Sequence, residues 1–325
     1  MAFRRQNHLM ITPRSPEQPR AVGVHCPYAA IPTRVQAWVE AKLGDRVVTA
    51  DGQVGGMSPG CATRLRTADG QAAFVKAVGA ELNPDTPGLF RREVEVLTCL
   101  PAVDHRPRVI ATYDDGDWVA LLLEDVDGRY PDLADPGDAD AVWAVVDRQS
   151  RELTPPPDGL AIRSLPDTAR RFLERWRDLS DGPGAGLPHW ITAHAGPLDD
   201  RVATLPERLG TGTLCHWDIR DDNLLMRPDG TVVVLGWGMT CRGPWWADLF
   251  VLALAWADAP SFDDRIRTIS PLPDEDDITD LLLLFGISQA WHAQQPAPPG
   301  LANLPEFTRR ESERLLAGAC RRLSH

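Results

Sequence analysis

Between Thr33 and Leu43 the apolar residues Val35, Trp38, Val39 and Leu43 recur at helical spacing, with Thr33 placed to cap the start and Gly44 to end it. A first helix is expected there. From Arg46 to Leu123 the pattern shortens to that of strands, punctuated by turn signals at Asp51-Gly52, Asp69-Gly70 and Asp115-Gly116. One stretch interrupts it: Leu89, Phe90, Val94, Leu97 and Leu100 return to helical spacing and predict a helix over residues 88–100. Three strands, a helix and two more strands make a small α+β lobe spanning residues 31–123.

Beyond a short connector at residues 124–128 the character changes. Helical periodicity is expected over Ala139 to Leu153, Pro166 to Leu179 and Trp190 to Leu209, and again near Trp245, Asp276 and Pro305. A strand-rich insert at Leu214 to Val234, turning at Pro228-Asp229-Gly230, interrupts the helices. Residues 129–325 therefore read as a larger, mainly helical lobe, and residues 1–30, with Pro13, Pro16, Pro19 and Pro27, as an arm draped on the surface. No internal repeat, coiled-coil heptad or dimer motif is visible.

Composition adds little to that architecture but narrows the function. The 325 residues are 43% hydrophobic and 25% charged, as in ordinary globular proteins, and suffice for two lobes. A formal net charge of −12 disfavours nucleic acid and acidic membranes as partners and would attract a cationic small molecule. The six cysteines show no C-x-x-C pair or zinc spacing, so they read as reduced thiols of a cytoplasmic protein. Arg4 and Arg5 are followed by no apolar signal region, and the longest apolar run, Leu249 to Ala257, is far shorter than a membrane span.

The densest chemistry lies at residues 214–226, where His216, Asp218 and Asn223 stand in the order H-x-D-x-x-x-x-N just before an apolar strand. That spacing lets one carboxylate take the proton of an attacking hydroxyl while an amide oxygen five residues on reaches a phosphate-bridging Mg²⁺. Taken alone, the segment also reads as a polar turn facing water. Its surroundings favour the first reading: Val232-Val233-Val234-Leu235-Gly236-Trp237-Gly238 follows, and then Gly243-Pro244 and Asp248-Leu249.

On these residues the chain resembles the aminoglycoside phosphotransferase and choline kinase-like group, relatives of the protein kinases. The resemblance runs from about Val47 to Leu254 and implies a two-lobed α+β kinase-like fold. It also exposes a departure. Gly236 occupies the position where that group carries its metal-binding aspartate, before Trp237 and Gly238 of the metal loop at 236–238.

Upstream segments match in order. Gly55, Gly56, Ser58 and Gly60 form a Gly-rich turn between two strands, where backbone N–H groups could approach phosphates. Lys76 sits inside an apolar strand and needs a partner charge, with Glu93 on the following helix as first candidate and Glu95 as second. Glu124 and Val126 bound the expected hinge, where the backbone rather than side chains would meet an adenine base.

The resemblance implies Asp218 as catalytic base, His216 as a brace for the catalytic loop, Lys76 as the phosphate-binding cation and Asn223 as a Mg²⁺ ligand. Asp248 would tether the loop, and Arg220 and Asp222 would support it or contact substrate. ATP or GTP is the implied nucleotide. Gly236 leaves three readings of the metal: a protein without catalysis, an altered position, or rescue by Asp221 or Asp222. Three functions follow: transfer of the γ-phosphate to a hydroxyl of a small molecule, impaired by Gly236; a catalytically inactive binding or regulatory protein; and a kinase for a peptide or biosynthetic intermediate. Trp143, Trp176, Trp190 and Trp291 are aromatic candidates for an acceptor pocket, each of which reads equally as helix-packing core.

Overall fold

The computed structural model describes residues 23–53, 56–181 and 186–324. Helix α1 (Thr33–Leu43) begins one residue earlier than a Thr33 cap would place it, with Pro32 in the cap position, and ends at Gly44 in the left-handed conformation, φ 77°. Strands β1 (Val47–Gly52), β2 (Cys61–Thr67), β3 (Ala72–Gly79), β4 (Val109–Asp114) and β5 (Trp118–Glu124) form one antiparallel sheet in the order β1-β2-β3-β5-β4. Helix α2 (Thr86–Cys99) lies between β3 and β4 in sequence. It starts two residues before Gly88 because Asn83 Oδ1 accepts the N–H groups of Asp85 and Thr86.

The period of two in β3 and β5 sorts their side chains onto two cores. Ala73, Val75 and Ala77, with Trp118, Ala120 and Leu122, pack beneath α1. Val78 with Val119, Leu121 and Leu123 faces α2 and the second lobe. Lys76 shares the second face, so the alternation that buries the strand also points its one cation at α2.

The helical lobe contains α3 (Pro136–Glu152), α4 (Leu165–Asp181), α8 (Ala247–Ala253), α9 (Ser261–Arg267), α10 (Glu275–Ala293) and α11 (Leu304–Leu323). Between α4 and α8 the chain runs through three short helices, α5 (His189–Ala193), α6 (Ala195–Val202) and α7 (Leu205–Arg208). The single helix expected over residues 190–209 is therefore a correction. Pro197 and Pro206 lack an N–H and are tolerated only in a first turn, so each begins a new helix. Helix α9 gave no warning in the sequence pattern. Helix α10 is apolar almost all round, with Leu281 to Leu284 fully buried, and forms the centre of the lobe against α4 and α11.

Four short strands sit at the lobe junction: β6 (Thr213–Cys215) pairs with β9 (Cys241–Gly243), and β7 (Leu224–Met226) with β8 (Val232–Val234). Of the arm, residues 23–26 touch both lobes: the Cys26 N–H donates to the Gly60 carbonyl of the small lobe and the Val24 N–H to the Gly300 carbonyl of the helical lobe. Residues 28–30 form a single helical turn that buries Tyr28 in the core beneath α1, and residues 1–22 of the arm lie outside the described residues. Among them no helix is long and apolar enough to cross a membrane.

Candidate active site

The two strand pairs suspend residues 216–223 as a loop whose first two residues are held by one buried carboxylate. Asp248, at the start of α8, accepts the N–H groups of His216 and Trp217, each at 2.8 Å. Trp217 has φ 61°, a conformation costly for a bulky residue, on the order of 1–3 kcal/mol. Asp248 and the packing of the Trp217 ring against Phe285 hold it there. Burial pushes the Asp248 carboxyl above its ordinary value, against the pull of His216 and these N–H donors.

His216 is fully buried, and its neighbours assign its tautomer. Nε2 donates to the Leu235 carbonyl at 2.8 Å, and Nδ1 accepts the Asp218 N–H at 3.2 Å. Desolvation lowers its pKa, which fits a neutral ring bracing the loop. Its edge meets Trp237, whose own N–H donates to Val234. The triplet around position 236 is thus locked to the loop from below.

Asp218 emerges at the floor of the cleft between the lobes. About 30% of its side chain remains exposed, yet cleft walls surround it, and this desolvation raises its pKa. Arg220, 3.5 Å away, and the amide of Asn223 oppose that rise. Asn223 Nδ2 donates both to the Asp218 carbonyl at 2.8 Å and to Asp218 Oδ2 at 2.9 Å. Arg220 also pairs with Asp222 at 3.0 Å, within the loop.

Across the cleft, Lys76 Nζ meets Glu93 Oε2 at 2.5 Å and lies 4.7 Å from the centre of the Phe90 ring. Glu95 points elsewhere and accepts the Ala161 N–H. Lys76, Glu93, Asp218, Asn223, Gly236 and Ser58 line one small cavity of about 110 Å³, with Gly56 at its edge. Gly60 is tied instead to the 23–26 segment through its N–H to Val24, and Gly55 lies outside the described residues. Glu124 and Val126 do not line this cavity. Glu124 pairs with Arg227 at 3.1 Å, while the Val126 N–H has no acceptor among the described residues.

Gly236 has φ 77° and ψ 53°, the left-handed region where a side chain is strained. A Cβ there would stand 2.7 Å from Asn223 Oδ1. The amide oxygen of Asn223 occupies the space a residue-236 side chain would need. Around it, among the described residues, no three acidic, histidine or cysteine side chains converge. Asp221 and Asp222 line the larger cleft on the other side of Asp218 and are not among the residues around the small cavity. An amide oxygen facing a glycine does not make a Mg²⁺ site, because hard divalent ions need several oxygen ligands in near-octahedral array.

Beyond Asp218 a second, larger cleft of about 500 Å³ opens between the loop, α4, α10 and α11. Trp217, Phe172 and Phe285 give it apolar walls, and Arg163, Arg171 and Arg175 reach into it. Of the aromatic candidates read from the sequence, Trp176 is core and Trp143, Trp190 and Trp291 pack against the core. The arginines belong to no recognisable motif; the only signal was the pair Arg171 and Arg175, one turn apart on α4.

The comparisons with known proteins agree with this architecture. Over 89% of its length the chain superposes on 98% of the choline kinase LicA of Streptococcus pneumoniae, with TM-score 0.61 and 14% identity. Aminoglycoside phosphotransferase APH(4)-Ia matches with TM-score 0.58 and 13% identity, covering 88% of this chain and 98% of that one. An aminoglycoside phosphotransferase from Alicyclobacillus acidocaldarius gives 0.51 and 12%, covering 86% and 92%. At these identities the likeness establishes the kinase-like fold. No curated protein is similar to the chain in sequence. The phosphotransferase enzyme family (APH), however, matches residues 63–281, well over half of the chain and all of the loop, lysine strand and Gly236 segment described above. The chain belongs to the phosphotransferase enzyme family.

Proposed function

We propose that the protein transfers the γ-phosphate of ATP, or of GTP, to a hydroxyl group of a small molecule, at a rate lowered by Gly236. The observation that carries this reading is the meeting of Lys76–Glu93 from one lobe and Asp218–Asn223 from the other in a single cavity. Among the fold's neighbours, LicA in complex with AMP and APH(4)-Ia in complex with ADP and hygromycin B support nucleotide and acceptor clefts in this arrangement.

In the proposed step the acceptor oxygen attacks the γ-phosphorus, the bond to the β–γ bridging oxygen breaks, and ADP leaves. The acceptor's proton passes to Asp218. A raised pKa suits Asp218 for that task, since a general base works best when its pKa approaches ambient pH. Lys76, held by Glu93, places a cation against the nucleotide phosphates. Nucleotide-borne Mg²⁺ would find only Asn223 on the protein side, and the chain's own contribution to charge neutralisation is Lys76. In this family a carboxylate at position 236 would supply the missing ligand.

One observation favours the second reading, a nucleotide-binding protein without turnover: the Asn223 amide is bonded to the base itself. Measuring ATP consumption and product formation with Mg²⁺ separates the two. Slow turnover that disappears in Asp218→Ala supports the transferase. Equal, background rates in both proteins, with nucleotide still bound, overturn it.

A further inference from the structure

The larger cleft is lined by five arginines and five carboxylates, but they are not evenly matched in space. Arg220 is surrounded by Asp218, Asp221 and Asp222, and Arg314 bonds Glu311 at 3.3 Å. Asp85 is an exposed residue at the rim. Those pairings leave one wall, formed by the segment before α4 and by α4 itself, with cations alone.

Arg163, Arg171 and Arg175 make no ion pair among the described residues, although their neighbour Arg170 pairs with Asp167 at 2.8 Å. Arg163 gives one N–H to the Met239 carbonyl, and its buried Nε finds no acceptor. Arg171 donates only to the Thr168 hydroxyl at 3.1 Å. Arg175 donates to the Ser288 hydroxyl and lies 5.0 Å from the Trp291 ring centre. Desolvation above all, with repulsion from neighbouring arginines, lowers the pKa of both Arg163 and Arg175, against the pull of Cys241 and Asp218 on the first and of Glu174 on the second. Desolvation, and then Arg175, also holds His292, on the facing helix α10, down at about 4, so that histidine is neutral.

Arg163 and Arg175 are half-buried and Arg171 is exposed; a guanidinium taken partly out of water without a counter-charge is costly, and neighbouring guanidiniums add mutual repulsion. A planar, two-oxygen anion would relieve both, because it accepts paired N–H bonds from arginine. The series begins beside Asp218, whose charge Arg163 senses, and leads away from it along α4. We propose that the hydroxyl acceptor is itself an oxyanion: an alcohol whose phosphate or carboxylate group seats on Arg163, Arg171 and Arg175 while its hydroxyl faces Asp218. This deepens the transferase reading and rests on it for the role of Asp218. The overall charge of −12 acts on approach through screened solvent, whereas this wall acts at contact.

The test is binding to the ADP-saturated protein by calorimetry, with inorganic phosphate, glycerol 3-phosphate, D-glycerate, glycerol and choline as probes. Glycerol 3-phosphate or D-glycerate should bind saturably and weaken as salt rises, while glycerol and choline do not bind. Arg171→Gln and Arg175→Gln should each lower that affinity at least about tenfold. Arg171→Lys should recover part of it, and ADP affinity should stay unchanged in all three. Inorganic phosphate binding alone, with neither alcohol anion retained, overturns the proposal and marks the wall as a general anion patch. So does tighter binding of choline, or a loss of ADP affinity in the arginine variants, which would assign the wall to the nucleotide. Thermal melts of each variant separate lost binding from lost folding. Because the readout is binding, anion affinity without phosphoryl transfer would sink the transferase reading alone, and transfer to choline would sink this proposal alone.

Discussion

The two sides of Asp218 solve opposite electrostatic problems. On the nucleotide side the lysine and the aspartate already have partners: Lys76 holds Glu93, and Asp218 is held by Asn223 and Arg220. On the acceptor side three arginines stand without a carboxylate. A paired site is organised before its ligand arrives and loses little on binding it. An unpaired wall gains its counter-charge only from the ligand, so it selects by charge. The difference suggests that pre-organisation lies with the nucleotide and specificity with the acceptor, and it can be tested from either side.

The largest effect is expected at the shared residue. Asp218→Asn should cut phosphoryl transfer by roughly 10²–10⁴-fold, the usual worth of a general base, with ADP affinity unchanged. Transfer at the parent rate would remove Asp218 from the chemistry. On the paired side, Lys76→Met strands a carboxylate that is only 2% exposed and should cost on the order of 3 kcal/mol in denaturant melts. Adding Glu93→Leu should return part of that loss; if the double variant is less stable than the single, the pair is not what secures the helix.

At Gly236 the expected change is smaller and two-sided. Gly236→Asp places a side chain at positive φ and displaces Asn223, which should cost about 1–2 kcal/mol of stability. It should also create Mg²⁺-dependent ADP binding, read by titration with and without the metal. Stability loss without any metal effect would mean that position 236 does not correspond to the family's metal residue.

The pH dependence has a definite sign. Transfer needs ionised Asp218, whose pKa burial raises, so the rate should be full above that raised value and fall as pH drops through it. Arg220 favours the ionised form, so Arg220→Gln should move the fall to higher pH. A shift to lower pH would break the assignment. The smallest effect is expected at the hinge. Glu124→Ala removes a half-exposed pair with Arg227 and should change stability by at most ~1 kcal/mol and leave ADP affinity intact. A large affinity loss would show that the side chain, not the backbone, meets the nucleotide.

Much of the site was legible from residue order. His216, Asp218 and Asn223 occupy one short loop, so their spacing in sequence is nearly their spacing in space. Lys76 and Glu93 could be paired because strand alternation and helical period each fix a facing direction. The breaks in residues 190–209 were legible too, in Pro197 and Pro206, but the apolar period around them outweighed that signal in the reading. Gly60 was placed among phosphate-binding glycines, whereas the 23–26 segment claims its N–H, a contact between distant residues that no local pattern announces.

The sequence by itself determined the two-lobed α+β architecture, the order of the catalytic segments and the glycine at position 236, because these depend on local periodicity and on short motifs. Tertiary structure alone decided that Asn223 fills the space beside Gly236 and that Asp221 and Asp222 line the larger cleft rather than the small cavity. It alone left Arg163, Arg171 and Arg175 with hydrogen bonds to neutral groups but no ion pair among the described residues. Whether a charge is paired depends on which distant side chains arrive beside it, and only the packing of the two lobes settles that.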